Sequence, residues 1–187
     1  MGRGTQSLAR VAVVVRANAA PMWWLGLVAA GVGALVPGMT GRRIGLLTGA
    51  VLFIVVAAGT ATARWGRYTR LADDAVRAGR GDVLQDRRVT LRARRRTRRL
   101  VPPLAFLAAV AFSFVLPGAG GLLLAGVGAG LWAKAVRIGQ RERETETLLW
   151  VRADHAAASG PVGKKVTAFL TTGVAAGDAA PGGARRR

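Results

Sequence analysis

Residues 64–99 read RWGRYTRLADDAVRAGRGDVLQDRRVTLRARRRTRR, and this stretch decides how the rest of the chain is arranged. It holds thirteen arginines against the four acids Asp73, Asp74, Asp82 and Asp86, a local charge of +9. On either side lies uncharged, apolar sequence long enough to enter a bilayer twice. The alternation of apolar blocks with basic ones is the pattern of a polytopic membrane protein.

Working outward, the block before this stretch is free of charge from Ala17 to Gly41 and densest over residues 21–36. Trp23 and Trp24 stand at its start, where indoles favour a membrane–water interface because the ring is apolar and one edge is wet. Pro37-Gly38-Met39-Thr40-Gly41 breaks the block, Arg42 and Arg43 follow, and residues 44–63 give twenty uncharged positions. As helix these span about 30 Å, the thickness of a hydrocarbon core.

The block after the stretch, residues 100–133, has thirty-four positions without charge. As one helix it would measure about 51 Å, too long for a single crossing. Pro117-Gly118-Ala119-Gly120-Gly121 breaks it, which predicts helices over about 100–116 and 121–138 with Lys134 and Arg137 reaching out to the interface. Both are short, so a re-entrant hairpin stands as the alternative to two crossings. At an offset of eighty residues, Val36-Pro37-Gly38 falls on Leu116-Pro117-Gly118, and Gly41, Gly45 and Gly49 fall on Gly121, Ala125 and Ala129. The two blocks read as tandem hairpins, by duplication or by convergence.

Lysine and arginine concentrate in the N-terminus, the 64–99 loop and the C-terminal tail, and the two Pro-Gly turns hold only Arg42 and Arg43. The positive-inside rule then places all three basic segments in the cytoplasm. The expected fold is an all-α integral membrane protein of the cell (plasma) membrane. It has four transmembrane helices in two tandem helical hairpins with Pro-Gly turns, and both termini are cytoplasmic.

The expected divisions are a basic interfacial segment over 1–20, hairpin 1 over 21–63, the Arg-rich amphipathic loop over 64–99, hairpin 2 over 100–138, and a cytoplasmic helix with a disordered basic tail over 139–187. In the first, Leu8, Val11, Ala12 and Val15 share one face of a short helix lying on the membrane. Arg16 stops the apolar run from Val11 at five residues, too short for the core of a cleaved signal peptide. In the loop, Tyr68, Leu71, Ala72, Ala75 and Val76 keep a helical period, Gly79-Arg80-Gly81 breaks it, and Asp82 is placed to cap a second helix. In the last division, Leu148, Leu149, Trp150 and Val151 form an apolar patch for the bilayer or the loop, and most of the last thirty residues read as disordered.

Composition narrows the chemistry. The chain of 187 residues carries +19 with a hydrophobic fraction of 51%. Cysteine is absent, which removes disulfides, thiolate chemistry and cysteine metal sites. Arginine outnumbers lysine twenty-five to three, a bias that GC-rich coding explains without any appeal to guanidinium chemistry.

The candidate binding residues are Arg87, Arg88, Arg92, Arg94, Arg95, Arg96, Arg98 and Arg99, set to attract anionic lipid headgroups or a partner. Plain topogenic charge is the simpler reading of the same row. Nucleic acid is a less favoured ligand because only Trp65 and Tyr68 are at hand for stacking. Gly41, Gly45, Gly49, Gly126 and Gly130 are candidate helix-packing positions, spaced so that backbones can approach closely.

Asp82-x-x-x-Asp86 is similar to the carboxylates that hold a metal–diphosphate in membrane prenyl- and phosphatidyl-transferases. Those families need further acidic motifs and more helices, so local ion pairs and helix caps are the expected role. His155 has no Cys or His companion, and no catalytic motif, metal site or cofactor is expected. No ionisable residue lies deep in the apolar blocks, whereas pumps and coupled transporters keep one there. The expected function is a small scaffold, assembly factor or accessory subunit of a larger membrane complex. The alternative is an oligomeric pore, holin-like or related to DNA transfer, whose basic loop binds lipid or nucleic acid non-specifically.

Overall fold

The structure is a computed structural model that describes residues 7–97 and 99–185. Expectations for Arg3, Arg98, Arg186 and Arg187 fall outside those residues. In chain order the elements are β1 (Ser7–Arg10), α1 (Val11–Arg16), α2 (Ala19–Leu35), α3 (Arg42–Thr62), α4 (Trp65–Asp73), β2 (Val76–Arg77), β3 (Val83–Leu84), α5 (Arg87–Thr97), α6 (Val101–Phe112), α7 (Ala119–Glu144), β4 (Thr147–Arg152), α8 (Ala153–Ser159) and β5 (Leu170–Gly173). The protein is mostly helical, but it is not all-α, because five strands form one sheet.

The chain divides into a helical unit, Asn18–Ala63 with Arg98–Lys134, and a sheet unit assembled from Met1–Ala17, Arg64–Thr97 and Ala135–Arg187. Counting α1 with α2 and α3 with α4 across their short breaks, three stretches are long and apolar enough to cross a membrane: Val11–Leu35, Arg42–Asp73 and Ala119–Glu144. The break after α3 falls at Arg64, whose φ of 56° is left-handed. Helix α6 has only 12 residues, about 18 Å of helix. Its prolines occupy the first turn, where a missing N–H costs no hydrogen bond.

The helical unit has small residues inside and large ones outside. Ala29, Ala109 and Leu124 form its buried cluster, whereas Leu35 is 78% exposed, Leu47 70% and Ile54 65%. Water penalises such an exterior and lipid does not. Helix α7 packs against three others through glycines: Gly121 and Gly128 meet backbone atoms of α2, Gly120 meets Ala109 of α6, and Gly126 and Gly130 meet Phe53 and Ala57 of α3. At one end the two interhelical loops bond to each other, with Met39 N donating to Phe114 O at 3.0 Å and Thr40 Oγ1 to Val115 O at 2.9 Å. At the other end the buried Lys134 ammonium donates to Ala63 O at 2.9 Å, where the α3 dipole favours a cation.

The sheet unit orders its strands β2-β5-β4-β1-β3. β1 runs parallel to β3 (Leu8 opposite Leu84) and antiparallel to β4 (Ala9 opposite Val151). β5 runs antiparallel to β4 (Leu149 opposite Thr171) and parallel to β2 (Val76 opposite Leu170). Leu148 to Val151, expected as a surface patch, are the middle of β4 and are buried. A strand covered on both faces reads as an unbroken apolar run and shows no alternation.

The interfacial helix expected in 1–20 is instead strand β1 followed by α1. Leu8, Val11, Ala12 and Val15 are all buried there by the sheet unit's own residues. Past Ala156, where disorder is expected, Phe169 is fully buried and β5 pairs on both edges.

Candidate functional site

The arginine-rich loop folds as α4, two short strands and α5. Asp82, expected to cap the second helix, closes a turn instead: its Oδ2 accepts the Gly79 N–H at 2.9 Å. The helix starts later, at Arg87, and its cap comes from far along the chain. Both carboxylate oxygens of Asp178 accept the Arg87 backbone N–H, at 2.9 and 3.0 Å. An anion at a helix N-terminus satisfies an otherwise unpartnered donor and matches the dipole.

α5 has two faces. On the inner one, Thr90 is buried and its hydroxyl donates to Asp86 O at 3.2 Å. Arg87 and Arg94 lie half-buried one heptad apart. Arg87 Nε donates to Gly183 O at 3.2 Å, and the Arg94 guanidinium donates to Ala156 O at 3.0 Å. A cleft of about 70 Å³ lies beside them, lined in part by Gln85, Thr90 and Arg94. Ligand pockets run to about 300 Å³ and above, so this space suits ordered water rather than an organic substrate.

On the outer face, Arg88, Arg92, Arg95 and Arg96 are exposed, and Arg99 is exposed in the residues that follow α5. Among the described residues none of these five forms a salt bridge. The arginine row therefore separates into two residues that hold α5 in place and a set presented to solvent. Arg98 lies outside the described residues.

Two acids of the sheet unit form exposed ion pairs. Arg141 pairs with Asp73, and Arg152 pairs with Asp154 at 3.2 Å. Desolvation raises the Asp154 pKa, but hydrogen bonding from Arg152 and the His155 backbone together with the positive charge of Arg152 outweighs it and holds the carboxyl below the usual aspartate range. His155 lies 3.7 Å from the same carboxylate. Among the described residues no group of three His, Cys, Asp or Glu side chains is placed to hold a metal, and Asp82 and Asp86 join no such group.

One pair has no counterpart in the sequence reading. Arg10 and Glu142 are both buried and meet at 3.2 Å. Glu142 also accepts the N–H groups of Leu149 at 3.2 Å and Gly182 at 2.9 Å, while Arg10 donates to Ala179 O. Strand β1, helix α7, strand β4 and the C-terminal segment thus meet at one ion pair. Its signal in the sequence was weak, because Glu142 sits in an Arg-Glu-Arg-Glu alternation that reads as a solvated helix.

Of the candidate packing glycines, Gly45 and Gly49 are buried against residues 117–122, and Gly126 and Gly130 against α3. Gly41 is exposed at the α3 N-terminus with open space around it. Gly26, Gly33 and Gly128, which the sequence reading passed over, and Gly120 and Gly121, which it placed in the helix break, make contacts as close as these.

No protein-family model matches this sequence, and no curated protein or solved structure is significantly similar to it.

Proposed function

We propose that the chain is a small membrane-embedded scaffold or accessory subunit. It sits in the cell membrane and presents the outer arginines of α5 to anionic lipid or to an acidic partner. The observation that carries this reading is the exposed row Arg88, Arg92, Arg95 and Arg96, free of salt bridges among the described residues and held on a folded unit by Asp178, Arg87 and Arg94.

The same reading gives the chain four crossings, as two hairpins with Pro-Gly turns, and leaves both termini in the cytoplasm. Two features support it. The loop hydrogen bonds Met39–Phe114 and Thr40–Val115 bring both hairpin tips to one level, so α6 and α7 reach as far as α2 and α3. Pairing of β1 with β3 and β4 joins Ser7–Arg10, the loop and the C-terminal region in one folded unit, which supports a common side of the membrane for these three segments.

The pore alternative draws less support. It needs small-residue faces free for assembly, and Gly49, Gly126 and Gly130 face neighbouring helices of the same chain, with Gly45 against Pro117 of the loop before α7. Native mass analysis and pull-down of the chain, extracted mildly from its own membrane, tests the choice. A discrete complex with other proteins, lost when Arg88, Arg92, Arg95 and Arg96 become Gln, is the expected result. A homo-oligomer alone that releases dye from vesicles would overturn it in favour of the pore.

A further inference from the structure

A second basic surface lies outside the α5 row, and three distant segments build it. Lys134 reaches Ala63 O, so the apolar parts of α3 and α7 end together at that hydrogen bond. Arg64 and Trp65 follow Ala63 directly, and Arg137 comes three residues after Lys134, about 4.5 Å further along α7. The Arg137 guanidinium lies over the Trp65 ring at 5.5 Å, and Trp65 stacks on Tyr68 with centroids 6.3 Å apart. One turn on, Arg67 donates to Gly163 O at 3.1 Å. That bond draws in the turn at 160–166, which is closed by Val166 N donating to Gly163 O at 2.9 Å and anchored by buried Val162 and Val166.

The turn exposes Lys164 and Lys165. Arg64, Arg67, Arg137, Lys164 and Lys165 are thus five exposed cations of the sheet unit, with Arg137 over the half-buried Trp65 and the two lysines next to the Arg67–Gly163 bond, and among the described residues none forms a salt bridge. Of the carboxylates further along, Asp73 is engaged by Arg141 and Glu142 by Arg10, while Asp74 and Glu144 form no salt bridge among the described residues.

We infer that this collar is a binding site for the headgroup phosphate of an anionic glycerophospholipid, separate from the α5 arginines. The inference rests on the membrane placement proposed above. An indole at the end of an apolar span settles at headgroup depth. Guanidinium groups offer paired N–H donors to phosphate oxygens, and the lysines add compact charge. The α5 arginines lie on one helix and attract a charged surface diffusely. The collar instead draws its cations from three chain segments, tied together by the Arg137–Trp65 contact and the Arg67–Gly163 hydrogen bond.

The test uses the full chain in phosphatidylcholine nanodiscs doped with phosphatidylglycerol, with retained lipids counted by native mass spectrometry after release. The unaltered chain is expected to keep phosphatidylglycerol over phosphatidylcholine. Lys164→Gln with Lys165→Gln, at exposed positions, should lower that preference about tenfold, and Arg137→Gln should lower it further. The variant with Gln at 88, 92, 95 and 96 should keep it. Equal retention in the lysine variant, or no preference in the unaltered chain, would overturn the site. Displacement of the lipid by excess inorganic phosphate would overturn its assignment to a lipid. Alkaline extraction of the unaltered chain from its own membrane would instead overturn the membrane placement, and is scored separately.

Discussion

Asp178 caps helix α5 from 91 residues away, both of its carboxylate oxygens accepting the Arg87 backbone N–H. The most arginine-rich helix in the chain is therefore started by the C-terminal segment and not by its own sequence. Loss of an N-cap side chain costs about 1 kcal/mol. Asp178→Ala should lower the unfolding temperature of the detergent-solubilised protein by that equivalent and speed hydrogen exchange at the first-turn amides of α5. Asp178→Asn, which keeps an acceptor, should recover most of the loss. Unchanged exchange in the alanine variant would show that the cap is not formed in solution.

The Arg10–Glu142 pair makes a sharper prediction. Removing one partner of a buried ion pair strands the other and costs about 3–5 kcal/mol, whereas replacing both with apolar residues is far milder. Glu142 has two further donors, Leu149 N and Gly182 N, so its loss strands two buried N–H groups besides Arg10. The expected order of destabilisation is Glu142→Leu, then Arg10→Met, with the double variant less affected than their sum. A double-mutant cycle on chemical unfolding measures this, and strict additivity would contradict the pairing.

The helical unit was legible in the sequence because its signals are long. Uninterrupted apolar runs such as 44–63 and 100–133 outweigh any local ambiguity, and their breaks fall close to where the helices end. The sheet unit was not legible, for two physical reasons. Its strands are short, with β2 and β3 only 2 residues each, below the length at which period-two alternation can be seen. They are also brought together from three separated segments, so Leu8 and Trp150 meet without any local signal. Leu8, Val11, Ala12 and Val15 shared a helical spacing only because a strand turns into a helix between Arg10 and Val11.

The same contrast applies to the arginines. Composition shows the row, but only the tertiary partners Gly183 and Ala156 separate Arg87 and Arg94 from the arginines that face solvent.

The glycines of the helical unit should divide by what surrounds them. A Cβ on Gly130 would lie 2.5 Å from Ala57 O, and one on Gly121 would lie 2.0 Å from Ala30 N. Alanine at either position forces whole helices apart, an overpacking cost of about 1–3 kcal/mol. Gly59, exposed in the interior of α3, has open space around it, so alanine there should leave stability unchanged or raise it by about 0.5–1 kcal/mol. Thermal unfolding in one detergent ranks the three variants, and a Gly59→Ala loss as large as that of Gly130→Ala would contradict this packing.

The absence of cysteine lets each hairpin tip be tagged one residue at a time. Met39 is 87% exposed in the first tip and Val115 is 47% exposed in the second, while Gly81 lies exposed in the arginine-rich loop. Single substitutions Met39→Cys, Val115→Cys and Gly81→Cys, each treated with a membrane-impermeant maleimide on intact cells, separate the arrangements. Four crossings expect labelling at 39 and 115 from outside, and labelling at 81 only after the cells are opened. A re-entrant second hairpin would leave position 115 unlabelled while 39 reacts. That outcome is hard to reconcile with the Thr40–Val115 hydrogen bond, which holds the two tips 2.9 Å apart at those atoms. Because α6 supplies only 12 residues of regular helix, labelling at 115 would also mean that the bilayer thins locally or that the flanking Leu100 and residues 113–116 complete the span.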